Sequence, residues 1–365
     1  MKKIIQVEPW IDESELKQLT RVVESTYVVE HDLTKEFEDL IKEMTGSKFA
    51  ISITNGTAAL YCCLKALDIG PGDEVIVPDL TFIATSNAVI MAGAKPILCD
   101  VTSDTFCLDP KGLKPLINKN TKAIIPVHLY GQSCDMYQIN KIAKKHNLYV
   151  IEDAAQGVGV KFDNKHVGTF GDLGILSFYG NKTITCGEGG IILTDDEELA
   201  KKCYRLKNHG RDKKGVFIHY HIGYNFCFTE MQAAIGISQI GKLKFIIDVK
   251  KKIYEKYVKE LSGVNGLTIP YLDKRTTPVH WFTSILTNRR DELIKFLNEK
   301  NIQTRLFFYP LHLQPCYNKN IVGIKQCKNS IKAFNCGVSL PSAYSLTQEQ
   351  QEYIINCIKE FFNEK

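Results

Sequence analysis

Apolar positions along the first 150 residues follow two alternating rhythms. From Thr34, the residues Phe37, Leu40, Ile41 and Met44 recur at i, i+3, i+4 and i+7, and Gly46 stands where a C-terminal cap would, so the spacing predicts an amphipathic helix. Short apolar runs then alternate with helical stretches. Strands are expected at 49–53, 74–78, 96–101, 123–127 and 149–153, with helices at 57–67, 84–91 and 136–146. Repetition of strand, helix and strand predicts a mostly parallel sheet with helices on both faces. After Asp153 the pattern changes to short strands at 173–178 and 190–194 set among glycine-rich turns, followed by a long helical stretch from Thr229 to about Leu261. Beyond Gly266 the chain reads as a smaller α+β unit. It has a strand at 279–286, a helix at 291–300 and a last helix opened by Thr347-Gln-Glu-Gln350 with capping-box spacing. The expected organisation is therefore an α/β large domain over residues 1–245 and a small C-terminal domain over 246–365, with the boundary in or just after the long helix.

Composition narrows the class without changing this picture. At 365 residues, 44% hydrophobic and 24% charged, the chain is long enough for two cores and lies outside the disordered, collagen-like and coiled-coil ranges. The longest uncharged stretch, Leu80 to Ala94, is too short and too polar for a transmembrane helix. A net charge of +5 is spread along the chain, with Lys250 to Lys252 the densest run, so nucleic-acid binding is not expected. Met1-Lys2-Lys3 is followed by Glu8, Asp12 and Glu13 before any apolar core could form a signal peptide, which points to the cytoplasm. Twelve dispersed cysteines, with an adjacent pair at Cys62-Cys63 and no C-x-x-C, read as buried small apolar side chains in a reducing compartment, and no metal site is expected.

Three segments carry chemistry. In Ser177-Phe-Tyr-Gly-Asn-Lys182, a lysine between a strand end and a glycine-rich turn is drawn away from bulk water, which lowers the amine pKa and suits Schiff-base formation; alone it reads more readily as a solvated surface charge. In Ile151-Glu-Asp153-Ala-Ala-Gln156, an aspartate ends an apolar strand at the sheet edge where open α/β folds bind ligands; its alternative is a helix N-cap. In Thr54-Asn-Gly56-Thr57, a strand gives way to a helix N-terminus that can cradle phosphate, or to a tight turn with an N-capping threonine. A phosphate cradle, an acid for a pyridinium nitrogen and a lysine for an aldehyde are together what pyridoxal 5'-phosphate requires.

With these segments, and with Pro78-Asp-Leu-Thr-Phe82-Ile-Ala-Thr85, Gly187-Glu-Gly-Gly190, Gly223-Tyr-Asn225 and Phe308-Tyr-Pro-Leu-His312, the chain resembles the DegT/StrS group of nucleotide-sugar aminotransferases, fold-type-I pyridoxal-phosphate enzymes. The resemblance implies that Lys182 forms the cofactor Schiff base and moves the proton, that Asp153 pairs with the ring nitrogen, and that Gln156 bonds the ring 3-oxygen. It also implies that Phe82 stacks on the ring, for which the alternative is a plain core Phe. Gly56, Thr57 and Ser177 would hold the phosphate, and Asn225 would reach the neighbouring subunit's cofactor, which makes a homodimer with shared sites. Cys186 departs from the small residue more usual before Gly187-Glu-Gly-Gly190. Retention of Lys182, where a deoxygenating branch of the group has histidine, argues for amino transfer.

Both ends of the chain resemble the perosamine and viosamine synthase branch of that group, through Val7-Glu-Pro-Trp-Ile11, Glu24 to His31 and Arg305 to His312. That implies glutamate as amino donor and a nucleotide-linked 4-keto-6-deoxyhexose as acceptor, the sugar lined by Glu30, His31, Arg305, Tyr309 and His312. Arg211, in an Asn-His-Gly-Arg turn, could offer a cation to the donor carboxylate or be an exposed loop residue. A 3-keto-sugar aminotransferase of the same group and a pyridoxal-phosphate-binding regulator without turnover are the alternatives.

Overall fold

The computed structural model of the chain describes residues 3–212, 215, 217–317, 323 and 327–363, so Met1 and Lys2 of the N-terminal reading lie outside the described residues. Seven strands form the central sheet: β1 (Phe49–Ile53), β2 (Glu74–Pro78), β3 (Lys95–Cys99), β4 (Thr121–Ile124), β5 (Tyr149–Asp153), β6 (Leu173–Ser177) and β7 (Gly190–Thr194). Their spatial order is β1-β7-β6-β5-β4-β2-β3. Neighbours are parallel except that β7 runs antiparallel to both β1 and β6. The strands carry near-continuous apolar runs because both faces are covered. On one face lie α1 (Glu13–Ser25), α2 (Asp32–Thr45), α5 (Met136–His146) and α7 (Glu230–Leu261); on the other lie α3 (Gly56–Ala66), α4 (Ala84–Met91) and α6 (Glu197–Lys207).

The helices start and stop where local chemistry dictates. Gly46 closes α2 in the left-handed conformation at φ 76°, as the spacing predicts. Thr229 caps α7 through a reciprocal box with Gln232, and Thr347 and Gln350 exchange the same pair of bonds at the last helix. Helix α3 is buried at nine of its eleven residues, Thr57 and Lys65 excepted, which is where Cys62 and Cys63 go. Nine of the twelve cysteines are buried and all are free thiols, so the expectation of small apolar side chains holds. The expected strand at 123–127 stops at Ile124, because Pro126 brings no N–H to the ladder. The threonine cap at the head of α3 is not formed: Asn55 is the N-cap, accepting from the Ala58 N–H.

A second core gathers around the three-stranded sheet of β8 (Thr283–Leu286), β9 (Arg305–Leu306) and β10 (Gly337–Leu340), with α8 (Arg290–Glu299), α9 (Lys328–Cys336) and α10 (Gln348–Asn363) around it. Helix α7 belongs to both cores: Ala233 and Ile246 pack on the large sheet, Ile253, Tyr257 and Leu261 on the small one. At the other end of the chain, Ile4 bridges to Ile302 and joins this second core. The expected strand at 279–286 pairs only from Thr283; residues 279–282 turn instead toward the large sheet. Among the described residues, no helix is long and apolar enough to cross a membrane.

Candidate active site

The C-terminal ends of β5 and β6, the head of α3 and the run into β8 surround a cleft of about 590 Å³, within the size range of small-molecule sites. It lies at the C-terminal strand ends that open α/β folds use for ligands. Eight of the residues singled out in the sequence line it: Gly56 and Thr57, Phe82, Asp153 and Gln156, Ser177 and Lys182, and Arg305.

Asp153 ends β5 almost fully buried, with one carboxylate oxygen accepting from Thr85 Oγ1 at 2.7 Å and the other from the Ala155 N–H at 3.1 Å. No helix follows it, so the N-cap alternative is removed. Burial draws the Lys182 ammonium down to about 8, with the Asp153 carboxylate opposing that shift and the Arg305 guanidinium adding to it. The amine makes no hydrogen bond or ion pair among the described residues and instead lies 4.6 Å from the centre of the Trp281 ring, whose Nε1–H donates to the Asn181 carbonyl at 2.6 Å. Gln156 Oε1 accepts from the Tyr130 N–H at 2.7 Å, which leaves the amide nitrogen to face the cleft.

At the head of α3 the first intrahelical bond is made by the Ala59 N–H, so those of Gly56 and Thr57 are uncommitted within the helix. A Cβ on Gly56 would come within 3.2 Å of Ser177 Cβ, so a side chain there would push the turn and the β6 end apart by a few tenths of an ångström. Phe82 is 54% exposed over the cleft mouth, which a plain core Phe would not be. A helix N-terminus beside a hydroxyl, a buried carboxylate, a lowered amine and an open aromatic face are the donor set that pyridoxal 5'-phosphate needs, and they fit it.

The remaining residues are elsewhere. Asn225 is exposed and bridges Asn208, next to the cleft-lining Phe226 but outside its own chain's cleft. The Glu30 carboxylate lies 2.9 Å from the buried Lys207 amine. His31 caps nothing with its ring, which stacks on Tyr27, while its backbone N–H bonds Glu230. His312 donates its backbone N–H to Asp79 and holds the same carboxylate through Nδ1 at 2.7 Å. Tyr309 packs its edge on Phe334, and Arg211 lies over the Phe217 ring. Thr85, Tyr130 and the Trp281-Phe282 pair are the site residues that sequence reasoning passed over. Thr85 closes a motif already quoted, whereas Trp281 reaches the cleft, and Tyr130 reaches the cleft-lining Gln156, only through folding.

Comparison with known proteins follows this geometry. Residues 9–359 match the DegT/DnrJ/EryC1/StrS aminotransferase family. The chain is 38% identical to the GDP-perosamine synthase of Escherichia coli O157:H7 over 371 residues, covering 100% of both chains. It is 39% identical to a pleiotropic regulatory protein of Geobacillus stearothermophilus over 354 residues, covering 95% of this chain and 94% of that one. Among solved structures, DesV of S. venezuelae superposes with a TM-score of 0.95 at 29% identity, covering 100% of each chain.

Proposed function

The chain belongs to the DegT/DnrJ/EryC1/StrS aminotransferase family, and from that premise we propose its reaction: transfer of an amino group from glutamate to a nucleotide-linked 4-keto-6-deoxyhexose, giving a 4-amino-4,6-dideoxyhexose for surface glycans. It is a nucleotide-sugar aminotransferase, and the family depends on pyridoxal phosphate. We assign the cofactor-holding unit to residues 1–245, the smaller unit to 246–365, and the reaction to the cytoplasm.

The observation that carries the reading is the Lys182 amine, drawn down to about 8 and left without a hydrogen-bonding partner in a cleft that also holds a buried Asp153. When bound, pyridoxal 5'-phosphate supplies an electron sink that makes the donor α-proton removable. Lys182 Nζ takes that proton from the α-carbon of the donor and returns one to the carbon that receives the amino group, then runs the same shift backwards for the sugar. An amine near 8 serves both directions, since it is neither fully protonated nor too weak a base. Asp153, fixed by Thr85 and the Ala155 N–H, holds a proton on the ring nitrogen. Gln156 donates from the amide nitrogen that Tyr130 leaves free. Gly56, Thr57 and Ser177 take the phosphate, and Phe82 covers the ring face. Asn225, turned away from its own cleft, completes the phosphate site of a second copy, making a homodimer with shared sites.

The test is mass spectrometry of products from a panel of UDP-, GDP- and dTDP-4-keto-6-deoxyhexoses incubated with ¹⁵N-glutamate. An amino sugar carrying the heavy nitrogen supports the reading, and a panel with no labelled product rejects it. A second reading, a regulator without turnover, draws on the Geobacillus relative; it predicts cofactor binding with no labelled sugar, including the 3-keto isomers.

A further inference from the structure

Lys182 and Arg305 are the two cations among the described residues lining the cleft, and they are mounted on one dipeptide. Trp281 and Phe282 stack with ring centres 4.0 Å apart and planes 25° from parallel. The Lys182 amine lies 4.6 Å from the Trp281 ring, and the Arg305 guanidinium 5.4 Å from the Phe282 ring. The guanidinium makes no ion pair with any described carboxylate. An aromatic face stabilises such a cation in part, yet leaves its planar fork of donors free for an anion.

Three anions enter this cleft on the reading above: the cofactor phosphate, the diphosphate of the nucleotide sugar and a carboxylate of the amino donor. The phosphate has the α3 N-terminus. The diphosphate is separated from the reacting keto carbon by the width of the sugar ring and a glycosidic oxygen. A donor α-carboxylate, by contrast, is bonded to the carbon whose nitrogen reacts, and the field of Arg305 reaches the Lys182 amine. Arg211, which the sequence offers for this task, lies outside the cleft of its own chain.

Resting on the aminotransferase reading, we propose that Arg305 is the carboxylate receptor of the amino donor rather than a sugar contact. A bidentate guanidinium–carboxylate pair forms when the dicarboxylate enters and is released when the oxo acid leaves, so the same cleft then accepts a neutral keto-sugar ring without a competing ion pair. Phe282 acts through Arg305, as a positioning residue.

The test uses the cofactor-loaded protein and glutarate, a dicarboxylate with no amine, with binding read by calorimetry and by change in the cofactor's visible absorbance. Wild type binds glutarate saturably. Arg305→Gln weakens that binding by about 30-fold, the loss of a charge-assisted pair. Arg305→Lys, which keeps the charge and loses the fork, falls between, and Phe282→Leu weakens it by roughly threefold. Binding of GDP or UDP alone stays within about twofold of wild type in all three variants. Cofactor content and melting temperature confirm that the variants are folded. Unchanged glutarate affinity in Arg305→Gln, a loss confined to the nucleoside diphosphate, or no glutarate binding by wild type overturns the proposal. If wild type binds glutarate but glutamate transfers no nitrogen, the aminotransferase reading falls and the carboxylate receptor remains.

Discussion

Lys182 and Lys207 are two lysines withdrawn from bulk water, and they have opposite fates. The Lys207 side chain is fully buried at the end of α6, where its amine meets the Glu30 carboxylate at 2.9 Å, the Ser52 carbonyl at 2.9 Å and the Glu38 carboxylate at 3.9 Å. One ammonium there faces two carboxylates, of which Glu38 also accepts from the Ser52 N–H and hydroxyl, and the cluster ties α6 to β1 and α2. The Lys182 amine meets an aromatic ring and, at longer range, one carboxylate and one guanidinium, so burial wins and its pKa falls to about 8. Taking a lysine out of water makes it structural when a carboxylate or backbone carbonyls take up its protons, as at Lys207 and Lys250, and reactive when neither does.

The comparison breaks most visibly by removing each amine in turn. Lys182→Ala should lower turnover by about 10,000-fold, since no other group in the cleft can move the proton; activity within tenfold of wild type would show that Lys182 is not the base. Asp153→Asn should keep the cofactor while lowering the rate of amino transfer from glutamate by roughly 1,000-fold, because a neutral amide no longer holds a proton on the ring nitrogen. A near-normal single-turnover rate would remove Asp153 from the mechanism. Lys207→Met should do the reverse of both: it leaves Glu30 and Glu38 uncompensated, costing about 3 kcal/mol in denaturant unfolding, while turnover per folded molecule is retained. A stability loss under about 0.5 kcal/mol would mean the cluster is not the brace described.

The smallest effect is a pH dependence. Cofactor capture by cofactor-free protein needs the neutral Lys182 amine, which is the dominant form above about 8 and declines below it. The capture rate should therefore fall roughly tenfold per pH unit below that point and level off above it, whereas an ordinary lysine would keep accelerating toward pH 10.4. Stopped-flow absorbance across pH 6 to 10 separates the two curves.

The alternating rhythm of strands and helices is legible because each element answers to its own period, and the three cofactor segments are legible because each sits at a strand end. Contacts made across long separations are not. Glu30 and His312 look like open polar side chains in the sequence; their partners, Lys207 and Asp79, stand 177 and 233 positions away. Trp281 reaches the Asn181 carbonyl from 100 positions away, out of a run that reads as plain strand. Tyr130 adopts a positive φ of 53° that no residue type at that position announces, yet this conformation aims its N–H at Gln156. Helix α1 carries only a partial period, Leu16, Leu19, Val22 and Val23, with Leu16 and Val23 left exposed, and Asp12 with Glu15 forms a capping box at its start.

The most direct measurement is borohydride reduction of the cofactor-loaded protein followed by peptide mass spectrometry. The account predicts one modified site, Lys182, with Lys207 and the similarly buried Lys250 untouched, even though burial also draws Lys250 down to about 8. Modification at Lys207 or Lys250 in place of Lys182, or no reducible adduct in protein that retains its cofactor, would contradict it.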